Sequence, residues 1–154
     1  MAKVSCGKKL PAFSVSTTGG TFRSTDALGA GLVLYFYPRD NTPGCTREGE
    51  AFRDLHVQFR KAGVRVLGVS PDSLASHEKF KAKMAFPFDL AADEDHKLAG
   101  LFDVWKEKNM YGRKVMGIER STFLIDPAGV LRQEWRKVKV DGHAEAVLAA
   151  ARSL

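Results

Sequence analysis

Cysteine is scarce in this chain, which contains only Cys6 and Cys45 among its 154 residues. Two cysteines so far apart match neither the disulfide framework of a small secreted domain nor the paired spacing of a zinc site. The four histidines form no His-x-His or His-x-x-x-His pair, so we predict neither a metal site nor a cofactor. The two thiols therefore need another explanation.

Long apolar runs are also missing. The longest uncharged apolar run, residues 31–38, is far too short to cross a bilayer, and Met1–Ser5 lacks the apolar stretch of a secretory signal. The 14 glycines and 6 prolines are too few for a disordered or collagen-like chain. With 44% hydrophobic residues, a chain of this length can bury its own core. We expect one cytoplasmic domain spanning residues 1–154, without a membrane partner.

The charge pattern carries little functional information. The formal net charge is +6, and the basic residues are spread along the chain with small clusters at Lys106–Lys114 and Arg136–Lys139. This distribution is typical of a solvated surface, and a patch that binds anions is the less favoured alternative. Trp105 and Trp135 lack regular basic and aromatic neighbours, so we read them as core or pocket-rim residues and predict no nucleic-acid partner.

The hydrophobic pattern changes period along the chain, which predicts an α/β fold. Six apolar or aromatic residues without alternation, Leu32–Tyr37, are typical of a central strand that is buried on both faces. Apolar residues then recur every three or four positions from about Cys45, which predicts one amphipathic helix capped by Gly63. The strand-like segment Val64–Ser70 follows directly. A strand, a helix and a second strand in this order imply parallel pairing.

The rest of the pattern completes a mixed central β-sheet with helices on both faces. Turn residues predict two hairpins, one around Gly19–Gly20 and one around residues 126–129. The predicted segments are hairpin strands at 13–17 and 21–23, a helix at 73–84, a short strand at 86–90, a short helix at 95–102, hairpin strands at 121–125 and 130–135, and a helix at 141–154. The polar, basic segment before residue 121 is assigned no element.

The most informative segment is Pro38–Cys45, which joins the predicted central strand to its helix. Cys45 falls in the first turn, where free N–H groups and the helix dipole favour a thiolate. Thr42, three residues earlier, can bring its hydroxyl alongside the sulfur. Arg120 is the candidate to hold a thiolate and a developing oxyanion together. Thr42 also stands where a Cys-x-x-Cys reductase has its other cysteine, which excludes dithiol exchange of that kind.

These residues resemble a known family. Pro38, Thr42 and Cys45 form the P-x-x-x-T-x-x-C signature of peroxiredoxins, and the sequence around them is similar to the bacterioferritin-comigratory, or peroxiredoxin Q, subfamily. Gly7–Phe13 and Gly117–Asp126 are similar to two further segments of that subfamily. The resemblance covers nearly the whole chain. It implies a thioredoxin fold and a thiol peroxidase that reduces hydrogen peroxide and organic hydroperoxides in antioxidant defence.

The resemblance also implies a role for each site residue. Cys45 would be the peroxidatic thiolate, which attacks a peroxide oxygen and becomes a sulfenic acid. Thr42 and Arg120 would orient the peroxide and stabilise the transition state. Pro38 would shield the sulfenate from water, and Glu48 matches a position that supports the active-site arginine in many peroxiredoxins.

The chain departs from the subfamily in its second cysteine. Many members have a resolving cysteine five residues after the peroxidatic one, but Glu50 stands there, and the helix predicted next contains none. Cys6 occupies a place where the family often has an apolar residue, so we expect a small packed side chain, with a resolving role as the alternative. The leading hypothesis is a one-cysteine cycle. Thioredoxin, glutaredoxin or a low-molecular-weight thiol would reduce the sulfenic acid of a monomer or weak homodimer.

Two other functions remain open from the sequence. A cysteine–histidine hydrolase is one, because residues distant in sequence can meet in space, although His56 is better explained as a packed histidine. The other is a redox-inactive thioredoxin-fold binding module whose basic surface engages an acidic partner. The Thr42, Cys45 and Arg120 set favours the peroxidase, since a binding module does not need it.

Overall fold

A computed structural model describes residues 4–154 as one sheet of seven strands, a separate hairpin and five α-helices. The strands are β1 (Ser14–Thr17), β2 (Gly20–Arg23), β3 (Gly31–Phe36), β4 (Val64–Ser70), β5 (Asp89–Ala92), β6 (Trp105–Met110), β7 (Arg113–Ile118), β8 (Ser121–Ile125) and β9 (Leu131–Trp135). The helices are α1 (Pro43–Asp54), α2 (His56–Lys61), α3 (Leu74–Met84), α4 (Lys97–Leu101) and α5 (His143–Ala151), with a 3-10 turn at Ser24–Ala27.

The main sheet is mixed, as the sequence predicts. Its strand order is β2-β1-β5-β4-β3-β8-β9. Strands β3, β4 and β5 pair in parallel, whereas β8 pairs antiparallel with β3 and β9 antiparallel with β8. All six residues of β3 are buried, because the strand lies at the centre of the sheet with packed layers on both faces.

Two hydrophobic clusters lie on opposite faces of this sheet. Alternate residues of β3 supply both, with Leu34 in the first cluster and Val33 in the second. Helix α4 packs into the first cluster, and helices α1, α2, α3 and α5 pack into the second. Trp105 and Trp135 are half-buried against the first and second cluster respectively. None of the helices between residues 4 and 154 has both the length and the apolar character that a membrane crossing needs.

The prediction of one helix after the central strand is wrong, because the chain breaks it in two at Leu55. This residue has φ −99° and ψ 1°, which ends α1 before α2 begins. Phe52 and Phe59, on either side of the break, are both fully buried. The apolar stripe therefore continues across the break, and the hydrophobic period does not reveal it. Gly63 does adopt the left-handed conformation expected of a cap, with φ +74°.

The basic segment that the sequence left unassigned forms the β6–β7 hairpin. Its two-residue turn, Tyr111 and Gly112, has positive φ at both positions, as a tight hairpin requires. Most of β7 is exposed, so it lacks the apolar alternation by which strands are recognised.

Other predicted elements have shifted bounds. The strand expected at 86–90 lies at Asp89–Ala92, and the last two helices are shorter than predicted.

Candidate active site

Cys45 lies in the first turn of α1, as the sequence predicts. The chain leaves β3 at Phe36, crosses a short loop and enters α1 through Thr42, which has extended backbone, and Pro43 at the first helical position. Proline suits this position because its missing N–H would have no partner inside the helix. Cys45 is only 2% exposed and contributes to the second hydrophobic cluster. Its sulfur is therefore shielded at the carboxyl end of the central strand.

Arg120 connects Cys45 with Glu48. Its Nη2 donates a hydrogen bond to the Cys45 sulfur at 3.3 Å, and its Nη1 donates to Glu48 Oε1 at 2.6 Å. Arg120 comes directly before β8, whose first residue, Ser121, pairs with Phe36. Glu48 lies three residues after Cys45, on the same side of the helix. The sheet register and the helical repeat thus bring together three residues that the sequence identified separately.

The charges in this cluster depend on burial. Burial raises the pKa of Glu48 to about 7, although the charge and hydrogen bond of Arg120 oppose the rise. Burial acts to lower the pKa of Arg120, but attraction to Glu48 and Cys45 outweighs it and raises that pKa. Glu48 Oε2 has no hydrogen-bond partner among the described residues. Arg120 therefore remains a cation near neutral pH, whereas Glu48 changes charge there.

Thr42 immediately precedes α1, and Pro38 lies in the loop before it. Neither residue bonds the Cys45 sulfur. The hydroxyl of Thr42 donates to the carbonyl oxygen of Arg39 at 3.0 Å. Pro38 is half-buried in the loop between β3 and α1. The hydrogen bond that the structure gives the Cys45 sulfur comes from Arg120.

A buried polar network, which no sequence motif indicates, anchors the loop between β3 and α1. Asp40 Oδ1 accepts from the Tyr37 hydroxyl at 2.7 Å, and Asp40 Oδ2 accepts from the Ser76 hydroxyl at 2.8 Å. His77 Nδ1 also lies 2.8 Å from Asp40 Oδ2. Its Nε2 lies 2.9 Å from the carbonyl of Ala91, and a carbonyl only accepts, so Nε2 carries a hydrogen. The network ties the loop to α3 and β5.

Part of this network has the residue types of a metal site. Ligand atoms of Asp40, Asp72 and His77 lie within 4.8 Å of one another. However, Asp72 Oδ2 accepts from the Asp40 backbone N–H at 2.8 Å and from the Ser70 hydroxyl at 2.6 Å. Both Asp40 oxygens are likewise used in hydrogen bonds. We therefore interpret the cluster as a hydrogen-bonded clamp on the active-site loop.

His143 and His56 both have structural surroundings. His143 Nε2 lies 2.7 Å from the Thr122 hydroxyl, and burial together with Arg120 lowers the pKa of His143 to about 4. His143 is thus neutral at pH 7, with its ring edge-on to Phe52. His56 packs near the ring of Phe88 and also has a lowered pKa, because of burial and the neighbouring Arg60. Neither histidine makes the contact with Cys45 that a cysteine–histidine hydrolase requires.

The expectation that Cys6 is a packed side chain is wrong, because Cys6 is exposed. The segment before β1 runs along the outer edge of β9, where Gly7 N–H donates to the carbonyl of Leu131 at 2.8 Å. The main chain of this segment is thus held at the sheet edge, while the side chain of Cys6 stays in solvent. Partial burial and the nearby Glu134 carboxylate raise the pKa of the Cys6 thiol.

Known proteins share this arrangement of sequence and fold. Residues 6–134 match the AhpC/TSA family. This chain belongs to that family. Its peroxiredoxin character is confirmed by its relatives, since the chain is similar to the peroxiredoxin Bcp of Xanthomonas campestris pv. campestris. The two share 56% identity over 140 residues, which are 90% of this chain and 88% of the relative.

Two further comparisons extend over almost the full chain. The peroxiredoxin Bcp of Bacillus subtilis is 48% identical over 152 residues, covering 98% of this chain and 97% of the relative. A solved structure of the Xanthomonas campestris bacterioferritin comigratory protein has a TM-score of 0.90 and 51% identity, covering 97% of this chain and 98% of that chain. That structure concerns the alkyl peroxide reduction activity of the Xanthomonas protein.

The peroxiredoxin family defines the class of reaction. The chain has a thioredoxin fold and is a thiol peroxidase, which uses a peroxide as substrate and a thiol as reductant. A redox-inactive binding module is not favoured.

Proposed function

We propose that this peroxiredoxin reduces peroxides through Cys45, with Arg120 as its electrostatic partner. The observation that carries the proposal is the 3.3 Å hydrogen bond from Arg120 to the Cys45 sulfur. A guanidinium presents several N–H donors in a fixed fork, so Arg120 can bond a thiolate and a carboxylate together. Glu48 takes one side of the fork and directs the other side toward the sulfur.

In the proposed step the Cys45 thiolate attacks one oxygen of a hydroperoxide. The S–O bond forms as the O–O bond breaks, and the departing oxygen takes a proton to leave as water or an alcohol. The sulfur becomes a sulfenic acid, two electrons more oxidised than the thiol. Arg120 stabilises the negative charge as it moves from sulfur to the departing oxygen. Thr42 orients the peroxide, and Pro38 shields the sulfenic acid from water.

We assign hydrogen peroxide and alkyl hydroperoxides as substrates. The alkyl peroxide reduction activity of the Xanthomonas relative supports the second class. For reduction of the sulfenic acid, we propose a one-cysteine cycle in which thioredoxin, glutaredoxin or a low-molecular-weight thiol supplies electrons. Neither of the positions at which the subfamily places its second cysteine has one in this chain. We further propose that residues 1–154 act in the cytoplasm as one domain, as a monomer or weak homodimer.

The test is peroxide consumption by wild type, Cys45→Ser and Arg120→Lys with dithiothreitol as reductant. We expect no turnover by Cys45→Ser. Arg120→Lys keeps the charge but loses the fork, so we expect its rate with hydrogen peroxide to fall by about 10²-fold, the scale of losing one preorganised donor.

Arg47→Lys is the matched control. Arg47 is also near the start of α1, but its side chain is exposed and pairs with Asp141 at the surface. We expect it to retain the wild-type rate. Full turnover by Cys45→Ser would exclude Cys45 as the peroxidatic residue, and equal rates for Arg120→Lys and Arg47→Lys would remove Arg120 from the mechanism.

A further inference from the structure

Three basic residues border an open cavity beside the active-site loop. The cavity has a volume of about 470 Å³ and lies between the loop that precedes α1 and helix α3. Arg39, Lys79 and Lys83 line it, and Lys83 Nζ donates a hydrogen bond to Asn41 Oδ1 at 2.6 Å. Asn41 stands four residues before Cys45, so this contact holds an ammonium group beside the start of α1.

Two further lysines are held close to Arg120. The chain after β9 returns to the active site, where Val138 N–H donates to the carbonyl oxygen of Arg120 at 3.0 Å. Lys137 and Lys139, on either side of Val138, are both exposed. A backbone hydrogen bond thus places both lysines next to the arginine that bonds the Cys45 sulfur.

The protein leaves these five charges without ion pairs. We define the basic rim as Arg39, Lys79, Lys83, Lys137 and Lys139. None of its members forms an ion pair with a carboxylate of residues 4–154. Asp40 and Asp72 also line the cavity, but both are bonded within the clamp, and exposed Glu78 of α3 does not line it. An anionic surface brought against the basic rim would remove the repulsion among its cations.

The extent of the basic rim favours a protein over a small thiol. Its cations come from three separate parts of the chain: the loop before α1, helix α3 and the segment after β9. A small thiol would contact only one of these parts at a time. A protein buries about 800 Å² on each side of an ordinary interface, which is broad enough to contact all three.

We propose that the basic rim is the docking surface for a protein thiol reductant whose reactive cysteine lies in an acidic surface. This inference rests on the proposed function, because the partner would reduce the sulfenic acid of Cys45. Opposite charges steer two proteins toward each other and raise the rate of their productive encounter more than their affinity.

The partner supplies both electrons of the reduction. Its first thiolate attacks the Cys45 sulfur, an S–S bond forms as the S–O bond breaks, and the oxygen takes a proton and leaves as water. A second thiolate of the partner then attacks the partner's own sulfur in this mixed disulfide. Cys45 leaves as a thiolate, and the partner departs with an internal disulfide.

The test compares kcat/KM for a thioredoxin of negative net charge with kcat/KM for dithiothreitol, at a fixed concentration of hydrogen peroxide. Dithiothreitol is uncharged, so it reports the chemistry at Cys45 without docking. In Lys137→Glu/Lys139→Glu we expect the ratio of the two constants to fall about tenfold, the lower end of electrostatic steering. Lys79→Glu, on the other part of the basic rim, should lower the ratio about threefold.

Lys8→Glu/Lys9→Glu is the matched control, because it changes the net charge by the same amount as the double variant of the basic rim. Both lysines are exposed, and Lys9 pairs with Val130, at the other end of β8 from Arg120. We expect this control to keep the wild-type ratio.

Ionic strength gives a second measurement. Between about 0.01 M and about 0.15 M salt, the Debye length falls from about 30 Å to about 8 Å. We expect wild-type kcat/KM for thioredoxin to fall over this range, whereas kcat/KM for dithiothreitol stays constant. Lys137→Glu/Lys139→Glu should lose most of the salt dependence. Glutathione, a small anionic thiol, should respond less than thioredoxin to the same double substitution.

Three results would overturn the inference. The first is no turnover with thioredoxin, or a wild-type ratio in both variants of the basic rim. The second is an equal loss with thioredoxin and dithiothreitol, which would indicate a distorted active site. The third is an equal loss with thioredoxin and glutathione, which would indicate attraction of small anionic thiols instead of protein docking.

The two proposals fail in different ways. If Cys45→Ser retained peroxidase activity, the proposed function itself would be wrong. If Cys45→Ser were inactive and the variants of the basic rim kept the wild-type ratio, only the docking surface would be excluded.

Discussion

The Glu48 carboxyl group has one oxygen bonded to Arg120 and one without a hydrogen-bond partner in residues 4–154, and the side chain lies in the protein interior. Burial raises its pKa to about 7 from an ordinary value of 4.5, with Arg120 opposing the rise. An acid with a higher pKa in the folded state binds more protons when folded, so its ionisation destabilises the fold. The stability linked to Glu48 is complete below its ordinary pKa and is lost as the pH rises toward 7.

We expect Glu48→Gln to remove this pH dependence, because an amide does not ionise in this range. Between pH 4 and pH 8, the wild type should lose about 3 kcal/mol of unfolding free energy relative to the variant. Urea denaturation of both proteins at the two pH values measures the difference. Glu50→Gln is the control, since Glu50 is a more exposed carboxylate of the same helix. An equal change in the unfolding free energy of wild type and of Glu48→Gln between the two pH values would contradict the prediction.

At the scale of elements, α1 packs closely against the core because Gly49 has no side chain. A Cβ atom there would lie 3.0 Å from Cε1 of Phe86, with other atoms of the ring also in contact. Phe86 is buried and stacks on Phe88, so its ring has little room to move. The close approach of α1 fixes the positions of both Cys45 and Glu48.

We expect Gly49→Ala to destabilise the protein by about 1–3 kcal/mol, because overpacking outweighs the better helix propensity of alanine. Its peroxidase rate should also fall as α1 shifts. Gly100→Ala, in α4, is the matched control, because a Cβ at Gly100 meets no atom within 4 Å. That variant should be neutral or slightly more stable. Thermal or urea denaturation measures both, and equal stabilities would refute the packing argument.

The elements that the sequence predicts well are those with a strong hydrophobic pattern. The uninterrupted apolar run of β3 and the stripe that includes Phe52 and Phe59 each have a direct counterpart in the core. The break at Leu55 is not predictable in this way, because the stripe continues through it. The β6–β7 hairpin was missed because its exposed residues follow no alternation, and its turn uses Tyr111 and Gly112 rather than the usual asparagine and glycine.

At the scale of the whole molecule, the sheet gives the two cysteines different surroundings. Cys45 lies in the protein interior beside Arg120, whereas Cys6 is exposed along the edge strand β9 beside Glu134. The raised pKa of the Cys6 thiol also disfavours the thiolate that would attack a sulfenic acid. This arrangement favours an external thiol as the resolving group.

We therefore expect Cys6→Ser to keep the turnover of the wild type with dithiothreitol and with thioredoxin. Wild type treated with one equivalent of hydrogen peroxide should gain the mass of oxygen, as measured by mass spectrometry under denaturing conditions. A loss of two hydrogens would instead indicate a disulfide between Cys6 and Cys45. That mass would contradict the one-cysteine cycle and support a two-cysteine cycle. The same conclusion would follow if Cys6→Ser kept its activity with dithiothreitol but lost it with thioredoxin.

Local sequence motifs predict only part of the candidate site. Cys45 in a first helical turn follows from the pattern of its own segment, and Arg120 was placed beside it by family resemblance. The contact between Asp40 and His77, which are 37 residues apart, depends on tertiary packing. No spacing rule links such pairs, so only the folded structure reveals them.

The clamp beneath the active-site loop has a kinetic consequence. Freeing the loop would leave the buried hydroxyl of Tyr37 and the ring of His77 without their acceptor, so the loop and α3 should open together or not at all. A small peroxide can reach a cysteine residue that is 2% exposed more readily than a protein reductant can. Oxidation can then proceed in the closed state, whereas reduction by a protein such as thioredoxin has to wait for opening. With a protein reductant, we therefore expect opening to be the slow step of turnover.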